Sequence, residues 1–156
     1  MAKKYLLDGN ILTELEDRTK SSYKAIRNKL ASLSSEDQTY ISIISAYEYQ
    51  DGIAKASETL AEKLKKAWKT FLDLFEVLPL PLTGAEIYGE IKTGYQKHTG
   101  IGKKEIKRHT VDFILASTAI EANAVLVSDD RIFKTIKEFY PSLHVENWKE
   151  TSLVDT

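Results

Sequence analysis

The chain has 156 residues, 42% of them hydrophobic and 29% charged, with only three prolines, so it is the size of one folded domain and not a disordered or low-complexity segment. It carries no cysteine, which excludes disulfides and thiolate metal sites and leaves oxygen or histidine to hold any metal. A formal net charge of −1 gives no global attraction to nucleic acid, no apolar run is long enough to span a membrane, and the opening MAKKYLLD lacks the apolar core of a signal peptide; the cytoplasm is the expected location.

Lys4-Tyr5-Leu6-Leu7 predicts a first strand, closed by the turn residues Asp8-Gly9-Asn10. Apolar residues at helical spacing from Ile11 to Leu33 predict two amphipathic helices. Tyr40 to Ile44 predicts a second strand, and Ser45-Ala46-Tyr47-Glu48 has the form of a capping box opening a helix. A further helix is expected over Leu60 to Phe75. Val77 to Leu82, with two prolines, reads as an edge strand, and Thr83 to Glu86 as a second capping box.

The segment 97–108, KHTGIGKKEIKR, sets Lys97, Lys103, Lys104, Lys107 and Arg108 against one acid, Glu105. With Gly100 and Gly102 it predicts a mobile loop, either a solvated surface or a lip that steers phosphates. Thr110 is the expected N-cap of the next helix, which is apolar on nearly every side and therefore buried. It runs into Ala124 to Val127, an interior parallel strand, then Ser128-Asp129-Asp130 and a helix from Arg131. Leu143 to Val145 predicts the last strand, and residues 151–156 a polar tail after a single domain over 1–150. His98, His109 and His144 lack metal-ligand spacing and read as structural.

Asp8, Glu48, Asp112 and Asp130 stand at the ends of separate elements in this alternating pattern. Each alone is explained by helix capping or the helix dipole. In a parallel sheet, however, strand carboxyl ends share one edge, so these acids would converge. Gathered carboxylates repel unless a cation neutralises them, and a hard ion such as Mg²⁺ or Mn²⁺ suits oxygen ligands.

The motifs YLLDGNI, ISIISAYEYQDGIA, HTVDFILASTAIEANAVLVSDDRIF and LHVENW, in that order across nearly the whole chain, resemble the PIN-domain nucleases, in particular the VapC-type ribonuclease toxins of toxin–antitoxin pairs. The resemblance implies a three-layer α/β/α fold with a central, mostly parallel sheet of about five short strands. It implies a metal site of Asp8, Glu48, Asp112 and Asp130, with Asp129 as substitute for Asp130 and Asn10 and Ser128 in support. It also implies Mg²⁺ or Mn²⁺ as cofactor, RNA as substrate, products with a 3′-hydroxyl and a 5′-phosphate, a cognate antitoxin as partner, and a homodimer. Lys103, Lys104, Lys107 and Arg108 are the candidate RNA contacts. Family members usually carry Thr or Ser after the first Asp, where this chain has Gly9.

Two other classes compete with an endoribonuclease. A haloacid-dehalogenase-type phosphatase would need Asp-x-Asp, and position 10 is Asn. A non-catalytic PIN-like or receiver-like binding module is the alternative that Gly9 keeps open.

Overall fold

The computed structural model describes residues 2–150. The strands are β1 (Lys4–Leu7), β2 (Gln38–Ser42), β3 (Glu76–Leu78), β4 (Val125–Val127) and β5 (His144–Glu146). The helices are α1 (Gly9–Glu14), α2 (Ser21–Ser32), α3 (Ile43–Lys55), α4 (Glu58–Leu74), α5 (Gly84–Thr99), α6 (Thr110–Glu121) and α7 (Arg131–Phe139). The strands form one sheet in the order β3-β2-β1-β4-β5, and every pairing is parallel.

Alternation along the central strands builds two cores. Leu6, Tyr40 and Leu126 point to one face, where they join Ile91, Phe113 and Phe133. Tyr5, Leu7, Ile41 and Val127 point to the other and meet Ile11, Leu12, Ile26, Phe71 and Trp148. Side chains one residue apart on a strand face opposite ways, so a sheet covered on both sides needs apolar residues at consecutive positions. The result is the expected three-layer sandwich, with a wholly parallel sheet. Phe113, Leu115, Ala116, Ser117, Thr118 and Ala119 of α6 are buried, as its all-round apolar character predicts.

Several local expectations are corrected. β2 ends at Ser42, and Ile43 and Ile44 already belong to α3; Ser42 is the N-cap, its Oγ accepting from Ile44 N at 3.2 Å. Ser45 to Glu48 is therefore no capping box. Thr83 likewise makes no side-chain cap and instead donates to Glu121 at 2.8 Å. His109, not Thr110, occupies the N-cap position of α6, while the Thr110 hydroxyl donates to the Lys107 carbonyl. The basic segment is mostly ordered: Lys97 to Thr99 end α5, Gly100 takes the left-handed conformation that closes it, and Glu105–His109 form a 3₁₀ turn. β3 is an edge strand as predicted, but it stops at Leu78, before both prolines. Among the described residues no helix is long and apolar enough to cross a membrane.

Candidate active site

The register places Leu7 beside Ile41 and Val127, so the residues that follow β1, β2 and β4 meet at one edge. Asp8 leaves β1 there, Glu48 comes from the second turn of α3, and Asp112 from the first turn of α6. All three line one cleft of about 440 Å³, together with Asn10, Ser45 and Arg108. Asp130 does not line it, yet its charge acts on both Asp8 and Asp112. Lys103, Lys104 and Lys107 lie outside the cleft wall, so Arg108 alone of the basic candidates reaches it.

The doublet Asp129-Asp130 divides its work. Asp129 turns away to Lys149, whose Nζ is 2.9 Å from Asp129 Oδ2 and 3.1 Å from Glu14 Oε1. Asp130 caps α7, Oδ1 accepting from Ile132 N at 3.0 Å, so the capping reading of that residue is right. Ser128, buried, links this turn to Asp8. Its hydroxyl donates to Asp8 Oδ2 at 2.8 Å and accepts from Asp130 N at 3.1 Å.

Asp8 sits at the N-cap position of α1 without making a side-chain cap. Burial pushes its carboxyl above the ordinary range; the Ser128 hydrogen bond pulls it back, the Asp130 charge raises it again, and the Gly9 and Asn10 amides lower it. Burial is also the main cause of the raised Asp112, opposed by the hydrogen bond to His109 and reinforced by Asp130 and Asp8. Glu48 is raised by burial, then by the charges of Asp8 and Asp112. With Ser42 doing the capping, no local backbone role accounts for Glu48.

His109, which reads from the sequence as merely structural, touches the site. Its Nδ1 is 3.3 Å from Asp112 Oδ2, while Arg108 Nε donates to the other ring nitrogen, Nε2, at 3.3 Å. A nitrogen that accepts carries no proton, so the proton of the neutral ring belongs on Nδ1, facing Asp112. The three-residue spacing of His109 and Asp112 is the one sequence signal of this pair. Further along the cleft the Tyr49 hydroxyl donates to Glu16 Oε1 at 3.2 Å, a pairing between distant residues that no local pattern announces. His98 pairs with Glu138.

Among the described residues no group of three or more acidic or histidine side chains is drawn together closely enough to hold a metal ion as it stands. The donor chemistry nevertheless fits a hard divalent cation. The cleft offers only oxygen among its acidic donors, its carboxylates are held above their ordinary range by burial and by one another, and a neutral hydroxyl, Ser45, stands beside them without a partner.

A parallel α/β/α sandwich with acids gathered at the carboxyl edge of its central strands defines the class of protein. The PIN-domain family model matches residues 5–138, and the chain belongs to that family. The resemblance to VapC-type toxins extends to solved structures. A chain of VapBC2 from Rickettsia felis, solved bound to a DNA fragment from the promoter, is 30% identical with a TM-score of 0.72, covering 93% of this chain and 98% of that one. VapBC-1 from nontypeable Haemophilus influenzae, 22% identical, has a TM-score of 0.71 over 94% of this chain and 99% of its own. FitAcB from Neisseria gonorrhoeae, 24% identical, has a TM-score of 0.66 over 92% and 96%. The last two likenesses show the shared fold. No curated protein matches the sequence significantly.

Proposed function

We propose that this protein is a Mg²⁺- or Mn²⁺-dependent endoribonuclease, the toxin of a VapBC-type pair. The observation that carries the reading is the convergence of Asp8, Glu48 and Asp112 on one cleft, with Asp130 acting on two of them from behind. Asp8, Glu48, Asp112 and Asp130 would hold the cation; Asp129 is committed to Lys149 and is not needed as a substitute. When bound, a divalent ion activates water and neutralises charge on a phosphodiester.

The chain's own groups do the rest. The Ser128 hydroxyl keeps one oxygen of Asp8 engaged where that residue lines the cleft. His109 holds Asp112 in one orientation through Nδ1. Arg108, at the cleft wall, supplies the positive charge that an acidic site needs to receive a phosphate, and Lys103, Lys104 and Lys107 extend it along the backbone of a longer strand. The products would carry a 3′-hydroxyl and a 5′-phosphate. Likeness to chains solved in VapBC complexes supports a protein antitoxin as partner and a homodimer.

The test is cleavage of single-stranded RNA with and without Mg²⁺ or Mn²⁺, using the purified chain and its Asp8→Asn variant. Metal-dependent cleavage lost in the variant is the expected result. Cleavage that ignores chelator, or that persists in the variant, would overturn the assignment.

A further inference from the structure

Ser45 lies in the first turn of α3, three residues before Glu48, and so on the same helix face. It is 2% exposed, and its Oγ is the one buried side-chain polar atom among the described residues that has no hydrogen-bond partner. Buried hydroxyls are rarely left so, and each that is calls for an explanation, a bound water or ion among them.

Two ordinary uses of a helical serine are both taken up elsewhere. The N-cap is Ser42. The other use is a bond back to a carbonyl in the preceding turn, as Ser117 and Thr118 of α6 make to Ile114 O at 2.9 and 2.8 Å. Ser45 makes no such bond. An alanine would serve the fold as well, without a hydroxyl to desolvate.

A Cβ placed on Gly9 would meet Ser45 Oγ at 3.9 Å, ordinary van der Waals contact, so the start of α1 faces Ser45 with room for a small side chain. Ser45 lines the cleft together with Asp8 and Glu48.

We infer that Ser45 Oγ is a ligand-facing group of the cleft that hydrogen-bonds the hydration shell of the divalent cation, supplying from α3 the hydroxyl that α1 lacks at Gly9. The inference rests on the metal-dependent reading above. Carboxylates only accept hydrogen bonds, and a small cation such as Mg²⁺ keeps several of its waters. A neutral hydroxyl accepts from such a water without adding charge to an already crowded acidic site. Ser45 is thus a positioning residue, acting on the ion through water.

The experiment is calorimetric titration of the full chain with Mn²⁺, alongside its melting temperature without metal. Ser45→Ala is expected to weaken Mn²⁺ binding by about tenfold or more, the usual effect of losing an outer-shell partner, while its metal-free melting temperature stays unchanged or rises. The double variant Gly9→Ser/Ser45→Ala puts a hydroxyl on the facing wall and is expected to regain most of the lost affinity. Unchanged Mn²⁺ affinity in Ser45→Ala would overturn the inference, as would a fall in metal-free melting temperature, which would make the hydroxyl structural. If the wild-type chain binds no Mn²⁺, the metal-dependent reading itself falls, a result separate from the failure of Ser45 alone.

Discussion

The Ser128 hydroxyl donates to Asp8 Oδ2 at 2.8 Å, joining residues 120 positions apart at the edge where β1 and β4 end. The bond lowers a carboxyl that burial raises, and the same Ser128 oxygen receives the amide of Asp130. One side chain thereby sets the spacing of two acids from opposite ends of the chain.

Removing charge from this cluster separates function from stability. Asp8→Asn and Asp112→Asn are expected to abolish Mg²⁺- or Mn²⁺-dependent RNA cleavage, well beyond the roughly 10–100-fold that loss of an outer-shell partner costs. Their metal-free melting temperatures should rise, because each loses a carboxylate that is raised by burial and by its neighbours. Full cleavage by both variants in excess metal would refute the site.

Stability should depend on pH in a particular direction. Asp8, Glu48 and Asp112 have carboxyls raised in the folded chain above ordinary values of 3.8 for Asp and 4.5 for Glu. A raised acid holds its proton more tightly when folded, so its contribution is complete below the unfolded value and is lost as pH rises through the folded one. Glu14, Asp17 and Asp37 are lowered and act in reverse, losing their contribution as pH falls through their folded values. Metal-free protein should therefore gain stability from Asp8, Glu48 and Asp112 as pH falls from neutral toward the ordinary carboxylate range. The difference between wild type and Asp8→Asn in denaturant melts across that window measures the Asp8 share. No pH dependence in that difference would contradict the burial of Asp8.

Capping and catalysis part company at the start of α3. Glu48→Gln should cost little stability and lose activity, since Ser42 provides the cap. Ser42→Ala should cost about 1 kcal/mol of stability, the usual value of an N-cap side chain. Urea unfolding and RNA cleavage on the two variants suffice; a Glu48→Gln protein with normal activity would return that residue to a structural role.

The basic residues differ in position and should differ in effect. Replacing Lys103, Lys104, Lys107 and Arg108 together by Gln should weaken RNA binding and flatten its salt dependence, the slope falling by about 0.7 for each single-strand phosphate that is no longer neutralised. Arg108→Gln alone should lower cleavage most, because only Arg108 lines the cleft. Binding measured over a range of salt would reveal an idle surface if neither affinity nor slope moved.

The sandwich is legible in the sequence because the two central strands β1 and β4 are apolar runs stopped by polar turn residues, and the buried α6 because its apolar residues encircle it. Glu48 falls near the right edge for a partly wrong reason. YISIIS contains two serines, and Ile43-Ile44 suits a strand or a buried helix equally, so periodicity extends the strand past the true cap at Ser42. The fates of Asp129 and Asp112 depend on contacts with Lys149 and His109, made by tertiary packing and a helix start one residue earlier than Thr110 suggests. No local pattern encodes the Asp129–Lys149 contact, and the three-residue spacing of His109 and Asp112 is the only local trace of the other.

The position of β1 has a consequence for synthesis. β1, which precedes the other described strands in the chain, lies at the centre of the sheet, flanked by β2 and by β4, which begins only at Val125. A nascent chain can pair one side of β1 early, but Asp8 gains its Ser128 partner and Asp130 its place only after most of the chain has left the ribosome. Such distant pairings form late because the loop between them must close first. The acidic edge of this sheet is thus joined late: a chain stopped before β4 would carry Asp8, Glu48 and Asp112 without the Ser128 turn that ties Asp8 to Asp130.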